Sequence, residues 1–332
     1  MRPLRSLTLA VATALVVLTG CAADDGRGGG RGGGTPDAST PPPGTMDGAV
    51  RPDSGPPAPP ECGGGEEALI YVIDRNNALS QFNPRDMTFG AALPISCASD
   101  SVRPFSMSVD QAGMAWVLFR NPARPTETWI DTVNTTTGAC TGSRISPPSP
   151  LEYFGMGFAN NAGVETLFVS GGTYLELMNV GFPGGEEMYP ASLYRLDSSA
   201  SSAALSGRLV GWPELTGNAN GDLFGFFAPK TDAISGMLSR VGRVAQFDRG
   251  TGTETNSYSL DAMTGDFESK YAFAYWGGRL YIFIKQYGTD GSEVWRFDLP
   301  PVGDGSVTKI IPDAGRIIVG AGVSTCAPVD LI

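Results

Sequence analysis

The sequence predicts an all-β fold built from five radial sheets, and three observations predict it. The first is a recurring turn followed by a strongly apolar strand: DQAGMAWVLF (Asp110–Phe119), NNAGVETLFV (Asn160–Val169), NANGDLFGFF (Asn218–Phe227) and AYWGGRLYIFI (Ala274–Ile284). The second is an alternating strand ending in Asn or Asp, at Asn83, Asn134, Asp197, Asp248 and Asp298, which are separated by 51, 63, 51 and 50 residues. The third is the lack of any long helical period beyond Glu61. A repeat near 50 residues that holds about four short strands is the signature of a propeller blade. The expected architecture is therefore a five-bladed β-propeller.

The chain begins differently. Residues 1–20 carry Arg2 and Arg5 ahead of an apolar run from Leu7 to Leu18. That profile reads as an export signal peptide and is too short to span a bilayer comfortably. From Cys21 to Glu61 the chain is Gly, Pro, Ser, Thr and Asp with almost no large apolar residue. Such a segment cannot bury enough surface to offset chain entropy, so a disordered tether is expected. Some forty flexible residues reach about 35 Å on average. GGGRGGG is no phosphate loop, because no strand precedes it and no Gly-Lys-Ser/Thr follows. The propeller is assigned to residues 62–332.

Within the propeller the first blade is incomplete. ALIYVID (Ala68–Asp74) has no strand before it, since Cys62-Gly-Gly-Gly lies just upstream. The chain ends on RIIVGAGVSTCAP (Arg316–Pro328), a strand-like run with no partner of its own. Pairing the two closes the ring and leaves no bare edge. Inner strands read as nearly continuous apolar runs (LIYVI, AWVLF, LYIFI), whereas outer strands alternate, as in Val294–Asp298. Gly277-Gly278 and Asn220-Gly221 suit tight hairpins. The Asn or Asp ending each third strand is expected to cap a turn by accepting backbone N–H groups. Trp116, Trp129 and Trp295 are expected between blades. Tyr275-Trp276, at a hairpin tip, either stacks on a sugar or packs against the next blade.

Of five cysteines, Cys21 follows the signal, and an exported chain with four others favours two disulfides, for which three connectivities exist. Ring closure puts Cys326 beside Cys62, which leaves Cys97 to pair with Cys140.

Composition narrows function by exclusion. The formal charge is −11, and removal of Arg2 and Arg5 with the signal takes it to −13, which disfavours nucleic acid. There is no His, so Ser-His-Asp and Cys-His relays and His-ligated zinc or haem are excluded. No C-x-x-C pair and no calcium-loop run occur, and neither metal nor cofactor is expected. Loops joining second to third strands carry the extra length, at residues 120–128, 171–191, 228–242 and 285–292. They emerge on the rim that also carries the blade-to-blade connections, making that rim the expected binding site. Arg124, Glu186, Glu187, Lys230 and Asp232 are its charged groups. Paired-carboxylate chemistry survives the absence of His, with Asp74 and Glu214, near inner-strand ends, as candidates. Asp110 and Asp222 belong to first hairpins, on the opposite rim.

Leu18-Thr19-Gly20-Cys21 resembles the bacterial lipobox, which implies cleavage before Cys21 and acylation of that Cys. Ala22, in place of Asp, implies by the same resemblance sorting to the outer membrane. Acyl chains contribute roughly 0.8 kcal/mol per buried CH₂, so several on one residue anchor a soluble domain. With lipobox, tether and blades together, the chain resembles lipoproteins of delta-proteobacteria such as myxobacteria. PELTGNANGDLFGFF and VGAGVSTCAP carry that resemblance, which implies architecture and no activity. The expected function is a membrane-anchored, non-catalytic binding or scaffold lipoprotein. It would act as a monomer and present its propeller to an envelope protein, peptide or glycan. The alternative is a glycan-active hydrolase or lyase using channel carboxylates.

Overall fold

Short β-branched and aromatic runs punctuated by Gly, Asn and Asp leave the chain few options other than strands and tight turns. The computed structural model describes residues 69–97, 99, 101–180, 189–197, 199–231, 238–301 and 303–330. Blade one holds β1 (Ile70–Asp74), β2 (Ala78–Asn83), β3 (Thr88–Phe89) and β4 (Leu93–Pro94). Blade two holds β5 (Arg103–Val109), β6 (Met114–Asn121) and β7 (Arg124–Asn134). Blade three holds β8 (Tyr153–Asn161), β9 (Val164–Gly172), a short helix α1 (Tyr174–Val180), β10 (Ala191–Leu196) and β11 (Ala203–Leu209). Blade four holds β12 (Glu214–Gly217), β13 (Leu223–Phe227), an inserted pair β14 (Lys230–Thr231) and β15 (Leu238–Arg240), then β16 (Arg243–Phe247) and β17 (Glu254–Ser259). Blade five holds β18 (Phe267–Trp276), β19 (Arg279–Gln286), β20 (Ser292–Asp298) and β21 (Val307–Ile311). The last strand is β22 (Ile318–Gly322).

These sheets form the expected five-bladed β-propeller. Blade one runs β22-β1-β2-β3, so the C-terminal strand is its innermost. Tyr71 lies opposite Gly322, Val72 opposite Ala321 and Ile73 opposite Gly320, with a bulge before the Asp74–Ile318 pair. Blade two has three regular strands. Its outer edge is covered by antiparallel bridges from Ile130 to Ile145 and from Val133 to Cys140.

Five inner strands must approach closely around one axis, and small residues make that possible. A Cβ on Gly155 would lie 2.5 Å from the Pro213 carbonyl oxygen, and one on Gly322 would lie 2.7 Å from the Ser108 Cα. Hydroxyl groups then stitch neighbouring blades. Ser106 Oγ accepts the Met156 N–H at 3.2 Å, Ser108 Oγ accepts that of Phe158 at 3.1 Å, and Thr216 Oγ1 accepts that of Tyr275 at 3.0 Å. Each bond satisfies a backbone donor that neighbouring sheets cannot pair directly.

Aromatic side chains fill the wedges between blades. Phe224 of blade four stacks on Tyr275 of blade five at 5.6 Å, and Phe82 of blade one meets Phe283 edge-on at 5.5 Å. Tyr275 and Trp276 are therefore interblade core, and the sugar-stacking alternative fails because both rings are buried. Trp129 and Trp295 are buried as expected. Trp116 is half-buried, with its Nε1 donating to Asp110 at 2.9 Å.

The Asn or Asp at the end of the third strand caps a turn in four blades. Asn83 accepts the Arg85 N–H, Asn134 those of Thr136 and Thr137, Asp197 those of Ser199 and Ser201, and Asp248 those of Gly250 and Thr251. These hydroxyl and amide donors hold the Asp197 and Asp248 carboxyls below the usual carboxylate range. Asp298 departs from the pattern: its carboxylate pairs with Arg279 and Arg296.

Cys97 and Cys140 form a disulfide that joins blades one and two. Cys326 is also disulfide-bonded; Cys62, its expected partner, lies outside the described residues, as do Cys21 and the expected signal peptide and tether.

Candidate functional site

Antiparallel order fixes two rims. The insertion rim carries connections from second to third strands and from blade to blade. The hairpin rim carries the first and last hairpins of each blade. The sequence-level loops on the insertion rim take different forms. Residues 120–128 are the tip of a long β6–β7 hairpin, with Asn121 paired to Arg124. Residues 171–191 contain α1, which the sequence reading did not expect. Thr173 and Glu176 form its capping box: Thr173 N–H donates to Glu176 Oε2 at 2.7 Å, and Glu176 N–H donates back to Thr173 Oγ1 at 3.3 Å. Glu152 accepts the Tyr174 N–H at 2.6 Å, so both carboxylates serve the helix start.

Among the predicted rim charges, Arg124 is exposed and pairs with Glu127 at 3.3 Å, and Lys230 sits in β14. Glu186, Glu187 and Asp232 lie outside the described residues. The rim also exposes large apolar side chains that residue counting did not single out. Leu175 and Met178 on α1 are 72% and 52% exposed, Val210 on the blade three-to-four connection 59%, and Tyr287 between β19 and β20 58%.

The two candidate carboxylates have separate, structural surroundings. Asp74 closes the β1–β2 turn, its Oδ1 accepting the N–H groups of Asn76 and Ala78 at 2.8 and 3.0 Å. Glu214 opens β12 and turns into the axis, where only 5% of the residue is exposed. Its Oε1 accepts the Ser106 hydroxyl, whose oxygen in turn accepts the Met156 N–H. Three inner strands, β5, β8 and β12, thus meet at one carboxyl. Burial pushes its pKa up to about 8 against the lowering effect of Ser106 and the Met156 N–H, so the group is protonated at neutral pH. Among the described residues no hydrogen bond or ion pair joins Asp74 to Glu214. Asp74 is thus occupied by the turn it closes and Glu214 by the Ser106 hydroxyl.

The hairpin rim is covered by the chain's own end. After β22, Thr325 donates to Glu165 Oε1 of blade three at 2.6 Å and accepts Gln111 Nε2 of blade two at 2.8 Å. Farther along, the Pro328 carbonyl accepts the Gly277 N–H of blade five at 2.8 Å, and the Val329 carbonyl accepts the Tyr275 hydroxyl. Burial raises the Glu165 pKa despite these bonds. Asp110 and Asp222, on the same rim, are engaged locally. Asp110 accepts the N–H groups of Ala112 and Met114, and Asp222 accepts the side-chain amides of Asn218 and Gln246.

No group of three or more Cys, Asp or Glu capable of holding a metal occurs among the described residues. No protein-family model matches the chain, and no curated protein matches it. Solved structures similar in fold include a protein of unknown function from Bacteroides caccae, at 12% identity, 76% of this chain, 97% of that chain and TM-score 0.40. A calcium-binding regucalcin from Agrobacterium tumefaciens is 12% identical over 76% of this chain and 75% of that one, with TM-score 0.39. Zg3597, a family 117 glycoside hydrolase from the marine bacterium Zobellia galactanivorans, is 10% identical over 73% and 78%, with TM-score 0.42. Similarities this distant speak to neither activity nor ligand.

Proposed function

We propose that this chain is a non-catalytic binding scaffold, held at the cell envelope by acyl chains on Cys21, whose propeller takes a protein, peptide or glycan on its insertion rim. The observation that carries the reading is the exposure of Leu175, Met178, Val210 and Tyr287 on that rim. Side chains of this size gain from leaving water only when a partner covers them. The hydrolase alternative has a protonated acid in Glu214, while its other candidate, Asp74, is engaged in a turn.

The test has two arms. A panel of glycosides and polysaccharides is assayed with wild type, Asp74→Asn and Glu214→Gln; turnover that either substitution abolishes would overthrow the scaffold reading. In the second arm, a photo-crosslinker is placed at Leu175 and, as a control on the opposite rim, at Val164. The scaffold reading expects a discrete envelope adduct from position 175 and none from position 164.

A further inference from the structure

Between blades one and two the outer strands leave a crevice of about 240 Å³, lined by residues 79–81 of β2, by Gly90, Ala91 and Leu93 of the outer edge, and by Thr135 and Thr136 after β7. Its origin is a fault in the fourth strand of blade one. At one end β2 is paired by β3, with Phe82 opposite Phe89, and at the other by β4, with Leu79 opposite Leu93. Those registers differ by one residue, so the edge must bulge between them. Gly90 still donates its N–H to the Gln81 carbonyl at 2.9 Å, whereas Ala91 and Ala92 are exposed. The opposite wall, the turn after β7, is fastened to blade one. Ser96 N–H donates to the Gly138 carbonyl at 3.0 Å, Cys140 N–H donates to Ser96 Oγ at 3.0 Å, and the Cys97–Cys140 disulfide closes the same seam. These links fix the spacing of the two walls, so the crevice is preformed.

The lining is neutral and mixed in character. No charged side chain contributes to it. Leu79 and Leu93 give it an apolar side. Gln81 supplies a half-buried amide, which donates to the Tyr71 hydroxyl at 3.4 Å. That long bond uses one of two amide hydrogens and leaves the carbonyl oxygen as an acceptor. Thr135 Oγ1 donates to the Gly113 carbonyl at 2.8 Å and keeps its lone pairs as acceptors, while Thr136 is exposed and adds a second hydroxyl. Gly90 makes the room. A Cβ there would meet Gln81 Cβ at 3.6 Å as its nearest contact, and the backbone of Gly90 is not left-handed. Neither crowding nor conformation therefore requires glycine at this position. What its missing side chain provides is space beside the Gln81 amide, and a glycine within a strand edge often marks the close approach of another group.

We infer that this crevice binds a neutral sugar ring, whose hydroxyl groups bond to Gln81, Thr135 and Thr136 and whose C–H face lies on Leu79 and Leu93. The volume falls below the range for drug-sized ligands, about 300–1,000 Å³, and suits a single pyranose. Ions are disfavoured, because nothing in the lining offsets the loss of their hydration. A sugar presents donors and acceptors without charge, as do an amide and two hydroxyls. The site lies between two blades, away from Leu175 and Met178, and does not depend on the insertion-rim reading.

The test is saturation-transfer NMR of the full chain titrated with glucose, galactose, mannose and N-acetylglucosamine, with sodium glucuronate as the charged control at matched ionic strength. Wild type, Gln81→Leu and Gly90→Leu are compared. Leucine at 81 keeps the bulk and removes the amide, and leucine at 90 enters the crevice from a position where its Cβ has room, so both variants should unfold near the wild-type midpoint. The expected result is a saturable signal from at least one neutral sugar and none from glucuronate, weakened about fivefold or more by Gln81→Leu and abolished by Gly90→Leu. No saturable signal from any neutral sugar, an equal signal from glucuronate, or a signal that either substitution leaves unchanged overturns the proposal. Such a failure leaves the insertion-rim reading standing, since the crosslink at Leu175 tests that surface separately.

Discussion

Glu214→Gln should make the protein more stable at alkaline pH and leave it almost unchanged in acid. The carboxyl is buried at the junction of β5, β8 and β12, and burial lifts its pKa from 4.5 to about 8. A folded-state pKa above the unfolded value means the native state holds a proton that the unfolded chain releases. The associated stability is fully present below about pH 4.5 and is lost as pH rises through about 8. Between those limits the slope is about 1.4 kcal/mol per pH unit, which makes about 3.5 kcal/mol between pH 5 and 8. A glutamine keeps an oxygen for the Ser106 hydroxyl and cannot ionise. Urea unfolding of wild type and variant at pH 5, 6, 7 and 8 isolates the effect, because every other titrating group, Glu165 included, is common to both. The reasoning predicts stability curves that diverge by several kcal/mol as pH rises. Parallel curves would refute it and would mean that Glu214 is ionised and solvated in the native protein.

Three further outcomes follow from the same geometry. Gly322→Ala puts a Cβ 2.7 Å from backbone of β5 and should cost about 1–3 kcal/mol, read by urea denaturation; a neutral result would mean that the inner strands have room to separate. Cys97→Ser opens a bridge whose cysteines are 43 positions apart in the chain and should cost about 4 kcal/mol in the chain-entropy model, measured by thermal unfolding against wild type under non-reducing conditions. Asn134→Ala removes the acceptor of the Thr136 and Thr137 N–H groups and should cost about 1 kcal/mol, with the loss seen as faster amide exchange confined to the turn after β7.

The blades were legible because each repeats a local signal. A turn, an apolar strand, an alternating strand and a capping Asn or Asp recur every 50 or so residues, and the unmatched ends announce their own pairing. Asp298 shows where the pattern breaks down: Arg296 lies two residues before it on β20, but Arg279 faces it from β19, a register that no local rule supplies. The capping box of α1 was readable in Thr173-x-x-Glu176, but two turns of helix leave little periodicity to notice. The axial junction was not readable at all. Glu214 could be picked out as an acid near a strand end, yet its partner Ser106 lies 108 residues away and only ring closure brings them together. Thr325 is similar: its contacts with Gln111 and Glu165 join three blades that are distant in the chain.

Native-state hydrogen exchange of β22 and β1 tests the closed ring most directly. If the C-terminal strand completes blade one, amides in Ile70–Asp74 and Ile318–Gly322 should exchange only through global unfolding, with the same free energy as the inner strands β8 and β18. Rapid exchange of Ile318–Gly322 while those strands stay protected would contradict the account, because it would mean that five blades stand without the tail to join them.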